Sequence, residues 1–303
     1  MTTGTSTLPL PAWDDSVVVV EPPGSEPGAW SGAPSSIVAD GHVYLAYRLR
    51  LPIGAGRGIA NVVARSDDGV TFTVLAEINK DTFGAESLER PAIVRTPEGR
   101  WRLYVSAATP GTKHWRVDLL EADTPEGLAT ATPRTVLAGD EARGVKDPVL
   151  HHDEHGWHLW ASVHPLESWD DADRMTTEYF TSPDGVLWTW RQTALAGRPG
   201  EWDARGVRVS SVVVDGDEVQ AAYDGRATAG ENWEERTGAA RGVRLPDGSF
   251  GPLTADDRQP LGSPHAPGGL RYLSLVTMPD GSGRMYYEAT RSDGAHDLRS
   301  ERA

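Results

Sequence analysis

The feature that most constrains this chain is a repeat. The segment VKDPVLHHDEHGWHLWAS, residues 145–162, joins a short apolar run, a polar turn and a second, aromatic-rich run. The same layout returns in ERPAIVRTPEGRWRLYVSA (89–107) and in GAPSSIVADGHVYLAYR (32–48). Looser copies are VRVSSVVVDGDEVQAAYDGR (207–226) and GLRYLSLVTMPDGSGRMYYEATR (269–291). The turn glycines Gly41, Gly99, Gly156, Gly216 and Gly281 are therefore 58, 57, 60 and 65 residues apart. A period near sixty is too long for helical solenoid repeats and slightly above a kelch unit.

Within each copy, Val, Ile, Tyr and Trp alternate with polar residues around an Asp-Gly or Glu-Gly turn, the pattern of a β-hairpin. A second turn signal follows in SDDGVTF (66–72), TPEGLAT (124–130), SPDGVLW (182–188) and LPDGSF (245–250). Two hairpins make four strands per copy, and no amphipathic helix longer than two turns is legible. Five four-stranded antiparallel units predict an all-β fold, a five-bladed β-propeller, in which radial packing protects most strand edges. The fifth copy has room for only three strands before Ala303, whereas DDSVVVVEP (14–22) is a strand without a partner. Val17 to Val20 are thus expected to form the outer strand of the last blade. The whole chain, residues 1–303, reads as a single propeller domain.

Composition narrows the function classes. A formal charge of −15 argues against nucleic acid and anionic membranes, which need a basic face. No 18-residue apolar run is present, and the N-terminus lacks the basic start and apolar centre of a secretory signal. With no cysteine there is no disulfide framework and no thiolate chemistry. These features lead to the expectation of a cytoplasmic protein acting on a small molecule without a cofactor. No metal-ligand motif is present: His151, His152, His155 and His158 fall in one hairpin, expected to be a surface feature.

The register of the copies resembles the five-bladed propeller glycosidases, glycoside hydrolase family 43 and its clan relatives. Two motifs carry the likeness: KDPVLHHDEHGWHLWAS resembles the family's third-blade carboxylate-proline strand, and ERPAIVRTPEGRWRLYVS its second-blade strand. The resemblance implies a glycoside hydrolase taking a small carbohydrate, with Asp147 where the family holds its acidity-tuning aspartate. Two positions depart from it. WSGAPS has Ala33 where the family carries its general base, and EWDARGVRVSS has no Glu-Gly-Pro where it carries its general acid.

Glycoside cleavage needs one group to protonate the leaving oxygen and another to activate water or attack. The carboxylates expected at the funnel mouth are Asp147, Glu89, Asp224 and Glu288 as catalytic groups. Asp203, Arg90, Arg208, Arg226, His164 and His265 are expected to bind substrate, the arginines as a local basic patch that would also hold phosphate in a phosphorylase. Trp30 and Trp202 are expected as stacking platforms. Each has a structural alternative: Asp147 suits a turn before proline, and Asp224 and Glu288 suit ion pairs with nearby arginines. The long connection YDGRATAGENWEERTG (223–238) is a candidate lid through Glu231, Trp233 and Glu234. A non-catalytic sugar-binding propeller, favoured by Ala33, is the rival from another class.

Overall fold

A computed structural model describes residues 8–303. All five hairpin glycines, Gly41, Gly99, Gly156, Gly216 and Gly281, have positive φ, between 58° and 104°. Each connects the first two strands of a blade with a backbone that glycine adopts at no steric cost.

Blade 1 comprises β2 (Trp30–Ala39), β3 (His42–Arg50), β4 (Gly58–Ser66) and β5 (Thr73–Asn79); blade 2 comprises β6 (Leu88–Arg95), β7 (Trp101–Ala108), β8 (Trp115–Ala122) and β9 (Arg134–Leu137). Blade 3 runs β10 (Arg143–Asp153), β11 (Gly156–Pro165), β12 (Thr176–Ser182) and β13 (Thr189–Leu195). Blade 4 runs β14 (Gly206–Asp215), β15 (Glu218–Arg226), β16 (Arg236–Val243) and the two-residue β17 (Thr254–Ala255). Blade 5 contains β18 (Leu270–Thr277), β19 (Gly283–Thr290) and β20 (His296–Arg302), and its fourth strand is β1 (Val17–Val20), antiparallel to β20 with Val17 opposite Ser300. The N-terminal strand therefore closes the ring as the sequence implies. A single parallel bridge, Trp30 to His296, also ties blade 5 to blade 1.

The apolar residues form five cores, one between each pair of neighbouring blades. Blades 1 and 2, for example, enclose Tyr44, Ile78, Trp101 and Leu103, and blades 3 and 4 enclose Trp160, Tyr179, Tyr223 and Phe250. Buried tyrosines spend their hydroxyls across these seams: Tyr104 donates to the Gly185 carbonyl at 2.7 Å and Tyr286 to that of Gly69 at 2.9 Å. These two seams thus combine apolar packing with a hydrogen bond to the next blade's turn.

The inner strands determine what the axis contains. All five lose pairing register at the same level, after Gly32, Leu88, Lys146, Val209 and Arg271. Such bulges bend the strand and re-aim the side chains beside them. In three blades the bulge residue is left-handed: Ala33, Asp147 and Tyr272 have φ of 52°, 55° and 58°.

Candidate active site

Above the bulges the axis opens into a funnel of about 640 Å³ whose wall includes Glu89, Lys146, His164, Arg208, Glu235 and Tyr272. Trp115, Trp169 and Trp233 supply its aromatic surface. A second cavity of about 580 Å³, with Leu166 and Glu141 in its wall, shares Lys113 and Trp169 with the funnel and extends it sideways between blades 2 and 3.

The floor is one continuous chain of ion pairs that visits every blade. It starts at Glu89 in blade 2, which accepts from Arg48 of blade 1. Arg48 Nη2 also donates to Glu288 of blade 5 at 2.7 Å. Glu288 accepts from Arg271 Nε at 2.8 Å, and Arg271 Nη1 donates to Glu235 at 2.7 Å, entering blade 4. Glu235 accepts from Arg226 at 2.6 Å and lies 3.8 Å from Arg208. Arg208 then bonds Asp224 at 2.9 Å and reaches Asp147 of blade 3 at 3.4 Å, with Lys146 Nζ 3.5 Å from the same Asp147 oxygen. Five cations, Arg48, Lys146, Arg208, Arg226 and Arg271, thus meet five carboxylates, Glu89, Asp147, Asp224, Glu235 and Glu288, all buried. A buried charge persists only where it is paired, and this balance is how ten of them coexist on one floor.

The chain of pairs stops at two ends, both in the funnel wall. Glu89 Oε2 is held by Arg48 and lies 3.4 Å from the Tyr272 hydroxyl, while Oε1 has no partner among the described residues. Burial pushes the Glu89 carboxyl up, but Arg48 and then Lys146 outweigh it and bring it down to about 2, so it is ionised at neutral pH. Among the described residues Lys146 Nζ has no side-chain contact shorter than 3.5 Å to Asp147, and it sits 4.9 Å from the Trp115 ring centre. Beside it, His164 donates Nδ1–H to the Ala172 carbonyl at 2.6 Å, leaving buried Nε2 as a bare acceptor. Burial, then the charge of Lys146, hold His164 well below the usual imidazole range, so it stays neutral. Ionised Glu89, cationic Lys146 and neutral His164 form a partly unsatisfied polar set beside an indole.

The expected site residues divide accordingly. Glu89, His164, Arg208 and Arg226 line the funnel. Asp147, Asp224 and Glu288 lie within the floor, at most 1% exposed and paired with floor cations, and none lines the funnel; buried Asp147 Oδ1 has no hydrogen-bond partner among the described residues. Asp224 accepts additionally from the Tyr272 amide at 2.9 Å, and burial raises its carboxyl despite Arg208. Arg90 is a plug below the floor, donating to the carbonyls of Pro34, Pro148 and Ser210. The expected basic patch is corrected by the same inventory, because Arg208 and Arg226 are committed to carboxylates.

Four further residues lie away from the funnel wall. Trp30 is buried, stacked on His296 at 4.6 Å and sandwiched by Arg50 at 3.8 Å. Trp202 wedges over Tyr223 where any Cβ on Gly225 or Gly238 would come within 2.7 Å of its ring. Asp203 is buried behind Arg198 and Tyr223, which it bonds at 2.9 and 2.8 Å. His265 is exposed on a loop, edge-on to Trp13, away from the funnel. His158, expected at the surface, is 1% exposed and bonds the Tyr179 hydroxyl at 2.6 Å. The aromatic surface comes instead from Trp169 and Trp233, which are 65% and 40% exposed.

Sequence reasoning missed Glu235, Lys146, Arg48, Arg271 and Tyr272. A signal existed for two of them. Extending the repeat register aligns Lys146, Arg208 and Arg271 ahead of the bulges, opposite Ser162, Asp224 and Glu288. For Glu235 there was none: Glu234 and Glu235 point to opposite faces of one extended segment, and only the fold decides which faces the funnel.

No family model matches the sequence, and no curated protein matches it. Solved structures do match in shape. A thermostable family-43 glycoside hydrolase superposes with a TM-score of 0.70 at 13% identity, over 90% of this chain and 89% of that one. This is the family-43 propeller fold. A family-43 enzyme from Xanthomonas citri, in complex with xylotriose, gives 0.67 at 16% identity over 95% and 89%. An arabinanase from Bacillus subtilis gives 0.59 at 14% identity over 89% and 93%. At these identities the likeness concerns the fold, and the chemistry rests on the funnel itself.

Proposed function

We propose that this protein is a glycoside hydrolase that binds a small carbohydrate in the funnel, with Glu89 as its working carboxylate. The observation that carries the reading is the unsatisfied Oε1 of an ionised Glu89, set in the wall of a funnel on a scaffold that resembles carbohydrate-cleaving enzymes. In this reading Glu89 orients a water or opposes the positive charge that develops at the anomeric carbon. Lys146 offers a donor to a leaving oxygen, and His164 Nε2 accepts from a sugar hydroxyl. Trp169 or Trp233 presents an indole face to the apolar side of a ring.

Three funnel-wall carboxyls, Glu89, Asp173 and Glu235, are shifted downward, so these three are ionised at neutral pH. Activated aryl glycosides, whose leaving groups need little protonation, are therefore the first substrates to try. Glu89→Gln should lower turnover of any substrate found by roughly a hundredfold or more, with binding retained. Full turnover by that variant would overturn the role of Glu89.

A second reading, a sugar-binding propeller without catalysis, is favoured by a specific observation: Ala33 and Ser210 occupy the inner-strand bulges where the resemblance calls for a base and an acid. Calorimetric binding of sugars, with no release of product from any aryl glycoside, would select it. Phosphorolysis is disfavoured because Arg208, Arg226 and Arg271 already spend their forks on carboxylates.

A further inference from the structure

Below the floor the axis continues as a small channel of about 90 Å³, lined by inner-strand residues of all five blades. Arg90 caps it. This guanidinium is 3% exposed and makes no ion pair among the described residues; its hydrogen bonds go to three main-chain carbonyls. The five carboxylates of the floor are each paired with another cation, so Asp147 and Asp224 reach the Arg90 charge only from beyond ion-pair distance. Four of its five N–H groups are used in those bonds, which leaves one on Nη1.

The rest of the wall is mixed, with apolar side chains such as Ile37, Val149 and Leu275 between serine hydroxyls that can donate. Ser35 Oγ accepts from the Ile93 amide at 3.1 Å and Ser211 Oγ from the Leu275 amide at 3.3 Å. A hydroxyl that accepts in this way keeps its proton to donate elsewhere, and neither proton has a partner among the described residues. Ser36 and Ser274 share one hydrogen bond at 2.9 Å, while the Ser36 amide donates to Ser274 Oγ at 3.0 Å, so one further hydroxyl proton remains free.

From this surplus of donors around a buried, unpaired cation we propose that the channel is a halide site, filled by chloride under ordinary conditions. The volume suits a compact monovalent anion, and the wall offers no ammonium or second arginine for an oxyanion. This inference is independent of the reaction in the funnel, because Arg90 separates the two spaces.

The test needs no substrate. Crystals soaked in sodium bromide should give an anomalous peak on the propeller axis, in contact with Arg90 and the serine hydroxyls. In gluconate buffer at constant ionic strength, exchanging gluconate for chloride or bromide should raise Tm saturably by about 3 °C. Arg90→Met should flatten that response; if this variant does not fold, the two wild-type measurements decide alone. Water density without an anomalous signal on the axis, or a melt indifferent to halide, overturns the proposal.

Discussion

Arg208 and Asp224 face each other across the first two strands of blade 4, in direct register and joined at 2.9 Å. Arg271 and Glu288 occupy the same pair position in blade 5 and are joined in the same way. In blade 1 the pair is Gly32 and Arg48, and here the order is reversed: the cation stands on the second strand. Gly32 is required there because a Cβ would lie 2.1 Å from the Glu288 carboxylate, which crosses from blade 5 to reach Arg48. Six of the ten floor charges thus share one repeated pair position in blades 1, 3, 4 and 5, and Glu89, Asp147, Arg226 and Glu235 complete the floor from beside it.

Gly32→Ala should accordingly displace Glu288 from Arg48. An uncompensated buried charge costs about 3–5 kcal/mol, and Tm measured by calorimetry should fall by several degrees. A melt within one degree of wild type would mean that Glu288 moves freely.

Removing residues 1–22 deletes β1 and frees the edge of β20. It also removes buried Leu8 and the Ala12 and Trp13 amides that cap Glu301 at 2.6 and 3.1 Å. The truncated protein should aggregate or melt at least ten degrees lower, read by scanning fluorimetry and size-exclusion chromatography. An unchanged melt would contradict ring closure by β1.

The Asp147 position separates backbone from charge. Asp147→Asn should fold, because asparagine tolerates the left-handed region, with stability lowered by about 1–3 kcal/mol through the weakened hold on Arg208. Asp147→Val should be far worse, since a β-branched side chain resists φ of 55°. Equal denaturation midpoints for the two variants would refute this reading.

Acid stability follows from the floor. Glu89, Glu235 and Glu288 all titrate below their ordinary value of 4.5 in the folded protein, Glu89 at about 2. Depressed carboxylates contribute stability that is complete above the unfolded value and lost as pH falls toward the folded one. Asp224 is raised, so its contribution runs the other way and is largest at low pH. With three groups against one, Tm should stay nearly level from pH 7 to about 5 and then drop steeply toward pH 2. A melt that held level down to pH 3 would show that the floor is not ionised as described.

The chain's own periodicity determined the architecture. Regular hairpin turns, alternating strands, an orphan first strand and a short last unit leave few closed solutions for a sheet protein, and the five seams and β1 match them. The sequence also marked Glu89, His164, Arg208 and Arg226 as funnel residues, because the repeat register carries inner-strand starts and second-strand ends to the axis. What it left undecided is the partner of each charge. Asp147, Asp224 and Glu288 look like active-site carboxylates in one dimension, yet pairing with arginines, across the strand pair for Asp224 and from a neighbouring blade for Asp147 and Glu288, turns them into the floor. Trp30 and Trp202 look like loop platforms, yet glycines and stacked rings far along the chain draw them inside. Burial and ion pairing are long-range properties set when blades meet, whereas turns and strand alternation are local. The fold was therefore legible from one strand at a time, and the site became so only once five blades faced the same axis.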